Sequence, residues 1–275
     1  MSAEPSRWSR AVPKPTVVAA LVLGGALVTW IVTVERMRGM DAGPGTDLGA
    51  LGWYVGVWVT MMAAMMLPSV APMALLFAKV ARGRAERGRP YISPWIFLGG
   101  YLAAWTLYGL AAYGIYRGVV AADLGFLAWD EQGPIVAGAA VASAGLYELT
   151  PLKRVCLQHC RGPLHFLFHG WRDGRLGAFR MGAEHGTFCV GCCWGLMVVL
   201  FALGVMSLFW MAVVAAVIFA EKVLPRGDRL TRPLAVLFVA LGIWVAAAPG
   251  TVPGLTEPGS GPAMQMEKTD GAVAP

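Results

Sequence analysis

Charge is scarce in this sequence. Only 14% of its 275 residues are Asp, Glu, Lys or Arg, where a soluble domain carries about 25%. Together with 57% hydrophobic residues and a mean hydropathy of +0.61, this excludes an ordinary water-soluble globule, which would have to expose large apolar patches. The same figures exclude an intrinsically disordered chain, and the 35 glycines follow no triplet period, which excludes a collagen-like one. The patterns G-x-x-x-x-G-K-[ST], H-E-x-x-H and G-x-S-x-G are all missing, so nothing marks a nucleotide-binding protein, a kinase or a hydrolase. The net charge of +6 does not point to nucleic acid, because the basic residues are scattered between apolar runs. These absences leave a polytopic membrane protein.

A helix crosses a bilayer with roughly 17–25 apolar residues. Seven runs reach or approach that length: 17–34, 53–77, 92–116, 134–150, 187–205, 209–224 and 234–248. The expected fold is therefore all-α, a transmembrane helix bundle of about seven spans. Residues 1–16 form a cytoplasmic segment, 17–248 the membrane domain, and the polar, Pro/Gly-containing tail 249–275 a disordered extracytoplasmic end. The apolar run across spans five and six can turn only near 204–209. The first run leaves through E-R-M-R with no small-residue cleavage site, which marks a retained anchor rather than a signal peptide. Sorted by alternate loops, 18 of the 22 Lys and Arg fall on the side of the N-terminus. That places the N-terminus in the cytoplasm and the C-terminus outside a bacterial inner membrane, and it requires an odd number of spans.

All five cysteines and all four histidines lie between Cys156 and Cys193. In this topology that stretch is the fourth, cytoplasmic loop and the start of span five, a reducing setting where clustered thiols serve metal or redox chemistry more often than disulfides. Cys156, His159 and Cys160, at i, i+3 and i+4, share one face of a helix. Cys189, Cys192 and Cys193 form C-x-x-C-C behind His185. Thiolates select soft or borderline ions such as copper(I) and zinc.

Span two adds a second constellation, M-M-A-A-M-M-L-P-S-V-A-P-M, with Met62, Met65, Met66 and Met73 as candidate thioether ligands. Thioethers suit copper(I) and are poor for zinc, although a methionine stripe also serves as core filler. Pro68 and Pro72 are expected to break this helix, and broken helices at membrane depth mark ion sites. Glu148 and Glu221 are ionisable groups inside spans near the cytoplasmic boundary, candidates for orienting the ligands or taking their protons. His165 and His169, in R-G-P-L-H-F-L-F-H-G-W, lie on the polar side of an expected interfacial amphipathic helix whose apolar side is Leu164, Leu167, Phe168 and Trp171.

The methionine motif, L-T-P-L-K-R-V-C-L-Q-H-C-R-G-P, H-G-T-F-C-V-G-C-C-W-G-L-M, and G-V-M-S-L-F-W-M followed by E-K-V-L-P give residues 53–225 a marked likeness. The segment resembles a bacterial family of uncharacterised integral membrane proteins predicted to bind metal. The resemblance implies metal binding by Cys156, Cys160, Cys189, Cys192 and Cys193, and implies no particular activity. Glu148 departs from its pattern, where Gln is more usual. The sequence thus reads as a non-enzymatic membrane protein that binds a soft metal, copper(I) before zinc, near the cytoplasmic face for transport or delivery. Its partners would be the lipid bilayer and a metal-donor or metal-acceptor protein, with no nucleic acid. Two other readings stay open. One is a thiol–disulfide oxidoreductase using Cys189 and Cys192 at a helix N-terminus, where the dipole lowers a thiol pKa. The other is a non-catalytic subunit of a membrane complex.

Overall fold

The computed structural model describes residues 13–39, 43, 47–123 and 129–256, with the side chain of His169 outside the described part. The expected cytoplasmic segment up to residue 12 and the expected tail from residue 257 lie outside the described residues. The described residues contain helices and no strand. In chain order these are α1 (Pro15–Met37), α2 (Leu51–Glu86), α3 (Pro94–Ala121), α4 (Gly133–Tyr147), α5 (Pro151–Arg161), α6 (Pro163–Gly170), α7 (Gly174–Leu203), α8 (Leu208–Val223) and α9 (Thr231–Ala247).

Proline sets many of the starts. Pro15, Pro94, Pro134, Pro151 and Pro163 stand at the first or second helical position, where the missing N–H is not needed and the fixed φ suits the helix. Thr150 caps α5: its hydroxyl accepts a 3.3 Å hydrogen bond from the Lys153 N–H. The break between α7 and α8 falls at Gly204, whose φ of 114° is open to glycine and strained for other residues. This is the turn expected near 204–209.

Two helices differ from expectation. α2 runs unbroken from Leu51 to Glu86 with Pro68 and Pro72 inside it. The prolines remove two ladder bonds without ending the helix, and nearby the Ser69 hydroxyl donates to the Met66 carbonyl at 2.9 Å. α7 begins at Gly174, well before residue 187. The stretch 174–186 is rich in glycine and charge, so it carries no apolar signal, yet those glycines let it pack as helix.

The chain divides into two compact units, one of Met1–Thr33, Val55–Ala111 and Val155–Cys192, the other of Val34–Tyr54, Ala112–Arg154 and Cys193–Pro275. In the first, α3 and α7 meet backbone to backbone. A methyl group at Gly182 would overlap the Phe97 carbonyl, one at Gly100 would overlap that of Phe179, and one at Gly186 would reach 2.8 Å from the Tyr101 carbonyl oxygen. Such small-residue contacts hold helices together where there is no water to drive association. Gly182→Ala should therefore cost about 1–3 kcal/mol through overpacking, read as a lower unfolding midpoint in detergent. An unchanged midpoint would contradict the close approach. In the second unit, α4 and α9 meet the same way, with Gly138 and Gly242 each against the other's carbonyl.

Among the described residues, five helical stretches are long and apolar enough to cross a membrane: α1, α2, α3, α7, and 227–247, which includes α9. The bent pair α4 and α5, which turns by 64°, makes a sixth if it counts as one span. The expected fourth span thus ends as straight helix at Tyr147. α8, with 16 residues, is short of the usual length.

Candidate metal centre

One turn of α7 assembles the centre. Cys189, Cys192 and Cys193 stand at i, i+3 and i+4, and helical geometry brings their three sulfurs within 4.8 Å of one another. Each residue is 1% exposed. A thiolate sits about 2.3 Å from a bound ion, so two sulfurs on opposite sides of one ion are about 4.6 Å apart. The cluster therefore has the scale of a sulfur-only site, and soft donors of this kind fit copper(I).

α5 brings further sulfur to this turn. Cys160 Sγ lies 3.7 Å from Cys192 Sγ. Cys156, one turn earlier on α5, packs against Gly191, where an added methyl group would stand 2.6 Å from its sulfur. The glycine in C-V-G-C-C is thus the opening through which α5 approaches α7. None of the five cysteines is in a disulfide, and Cys160 alone of them is half-exposed.

Spacing gave no hint of Tyr101. Its hydroxyl lies 2.9 Å from Cys189 Sγ, and the side chain is fully buried. When that sulfur is a thiolate, the phenol O–H donates to it and fixes its lone pairs. Tyr101→Phe should weaken copper binding by about 10-fold, the lower end of the effect of partners that orient ligands. A competition titration checks this, and unchanged affinity would remove Tyr101 from the site.

The other expected ligands have neighbours of their own. Among the described residues, the three thiols of α7 are the only group of three or more Cys, His, Asp or Glu donors gathered within ligand distance. The His185 ring is buried among Phe97, Tyr101 and Phe166, at centroid distances of 5.9, 6.0 and 5.4 Å. The His159 ring stacks on Phe188 at 4.3 Å, with Nδ1 2.9 Å from the Val155 carbonyl oxygen. Glu148 and Glu221, expected beside the thiols, both turn to Lys153, whose Nζ lies 2.8 Å from each. Met62, Met65, Met66 and Met73 are all buried on α2.

The longer α7 also moves the cysteines. Cys189 lies in the middle of a helix that starts at Gly174, not at its N-terminus. Both Cys189 and Cys192 therefore lie beyond the first turn, within which a helix dipole acts.

The entrance to α7 is tied to the end of α2. Trp171 stacks on Phe77 at 5.2 Å and its indole N–H donates to Asp173 at 2.9 Å. The Arg84 guanidinium lies over the Trp171 ring at 5.0 Å and pairs with Asp173. The indole bond and the Arg84 charge hold the Asp173 carboxyl below its usual range. α6 is shorter than the expected amphipathic helix: it ends at Gly170 and leaves Trp171 in extended backbone. Of its apolar side only Leu167 is buried, while Leu164 and Phe168 are exposed.

A family model described as PpoB2, copper chaperone, matches residues 55–245, more than half of the chain. The chain belongs to this copper chaperone family. The match spans all five cysteines and continues through α8 into α9, beyond the segment 53–225 that carries the sequence motifs. Neither the curated proteins nor the solved structures give a significant match. A copper chaperone family and a buried three-thiol cluster together point to metal binding, with copper as the metal.

Proposed function

We propose that this chain is a bacterial inner-membrane carrier of copper(I), which it receives from one protein and delivers to another without catalysing a reaction. The observation that carries this reading is the trio Cys189, Cys192 and Cys193, buried on one turn of α7 with Cys160 beside it. Thiolates are soft donors that suit copper(I), and the family is described as a copper chaperone, which together favour copper. The half-exposed Cys160 is the exchange point, where a thiol of the partner replaces one ligand before the ion moves to the buried trio. The methionines of α2, Met62, Met65, Met66 and Met73, offer weaker soft donors along the path of the ion, and Cys156, His159 and His185 flank it.

Purified protein in lipid nanodiscs should retain one copper per chain against excess zinc, measured by elemental analysis. Displacement of copper by zinc would overturn the metal assignment. The membrane topology has its own test. With an odd number of crossings, a reporter at Pro275 that fluoresces only in the cytoplasm stays dark, and a bright reporter contradicts the orientation drawn from the charge split.

A further inference from the structure

Two carboxylates and one ammonium meet in the second unit at a place water does not reach. Lys153 is fully buried, and Glu148 and Glu221 are 1% exposed at their side chains. The three come from different elements: Glu148 directly follows α4, Lys153 lies on α5 and Glu221 on α8. Lys153 Nζ donates at 2.8 Å to Glu148 Oε1 and at 2.8 Å to Glu221 Oε2. Glu148 Oε2 is equally close to the ammonium but out of line with any donor.

The charges do not balance. With all three groups ionised, the triad carries one net negative charge in an apolar interior, and an uncompensated buried charge is among the costliest features a fold can hold. The charged groups that act on Glu148 are Lys153 and Glu221. The other charged groups on the elements around the triad are Arg154 and Arg161 on α5, Lys222 on α8, Asp228 and Arg229 in the short turn of helix after it, and Arg232 on α9. All of these are half-buried or exposed. One more positive charge inside the triad restores neutrality, and the smallest ion that two carboxyl groups 2.8 Å from a shared ammonium can take is a proton.

We propose that Glu148, Lys153 and Glu221 form a proton-binding site, in which the two carboxyl groups share one exchangeable proton beside the lysine ammonium. The site takes up and releases H⁺ as its ligand. It stands on the triad alone and does not depend on copper being the metal at the thiols. Because Lys153 and Cys156 share α5, the ammonium beside the proton is held on the same short helix that carries two of the cysteines.

Infrared difference spectroscopy of the metal-free, full-length protein in nanodiscs tests it. The wild type should show the carbonyl stretch of a protonated carboxylic acid near neutral pH, lost reversibly as the pH is raised and shifted in D₂O. Glu148→Gln and Glu221→Gln should each remove that band, because the remaining carboxylate and Lys153 form a neutral pair. A wild type with no such band overturns the proposal without recourse to any variant. A band that persists in both variants assigns the proton to another group and overturns it equally.

Discussion

Serine at Cys189, Cys192 and Cys193 together abolishes stoichiometric copper binding while leaving α7 in place. Serine is close in size to cysteine and its oxygen is a hard, neutral donor, so the change removes affinity for a soft ion and little else. Among single substitutions, Cys192→Ser should have the largest effect. Its sulfur belongs to the trio and also lies 3.7 Å from Cys160 Sγ, one of the contacts between α5 and α7. Its loss should exceed the 10–100-fold that removing a partner of a ligand typically costs. Cys156→Ser should weaken binding less, since that sulfur packs against Gly191 rather than within the trio. Titration against a chromogenic copper(I) chelator measures the series. Equal affinities across it would mean that the ion sits elsewhere.

Lys153→Met should destabilise the protein by about 3–5 kcal/mol, because it leaves two carboxyl groups buried without their counter-charge. With side chains 0–1% exposed, solvent screens none of this. Methionine fills the same volume as the lysine stem, so the loss reports charge rather than packing. Combining Lys153→Met with Glu148→Gln and Glu221→Gln should recover most of the stability, since replacing a whole buried ionic group by neutral residues is often neutral or better. Thermal unfolding in detergent measures both variants. A single variant as stable as the wild type, or a triple variant no better than the single, would contradict this account of the triad.

Much of this was readable in the sequence. All seven apolar runs fall on helices, and the expected turn between spans five and six falls at Gly204. The C-x-x-C-C spacing foretold the trio, because helical periodicity alone places i, i+3 and i+4 together. What stayed hidden depended on neighbours distant in sequence. Lys153 reads as an ordinary interfacial lysine until α8 brings Glu221 to it. Tyr101 reads as one more aromatic residue of span three until α7 crosses α3 closely enough to set it against Cys189. The start of α7 at Gly174 was masked by glycine and charge, although Gly182 and Gly186, spaced G-x-x-x-G, carried a legible signal of close helix packing. The histidines show the reverse case. Their proximity in sequence suggested ligands, and what the sequence did not show is that the rings of His159 and His185 pack against Phe188 and Phe166.

X-ray absorption at the copper edge of the loaded protein tests the central claim most directly. The account predicts copper(I) bound by sulfur alone, two or three atoms at about the 2.3 Å of a metal–thiolate bond, and a spectrum that collapses when Cys189, Cys192 and Cys193 are serine. Nitrogen or oxygen neighbours in place of that sulfur shell, or an unchanged spectrum in the triple variant, would contradict it.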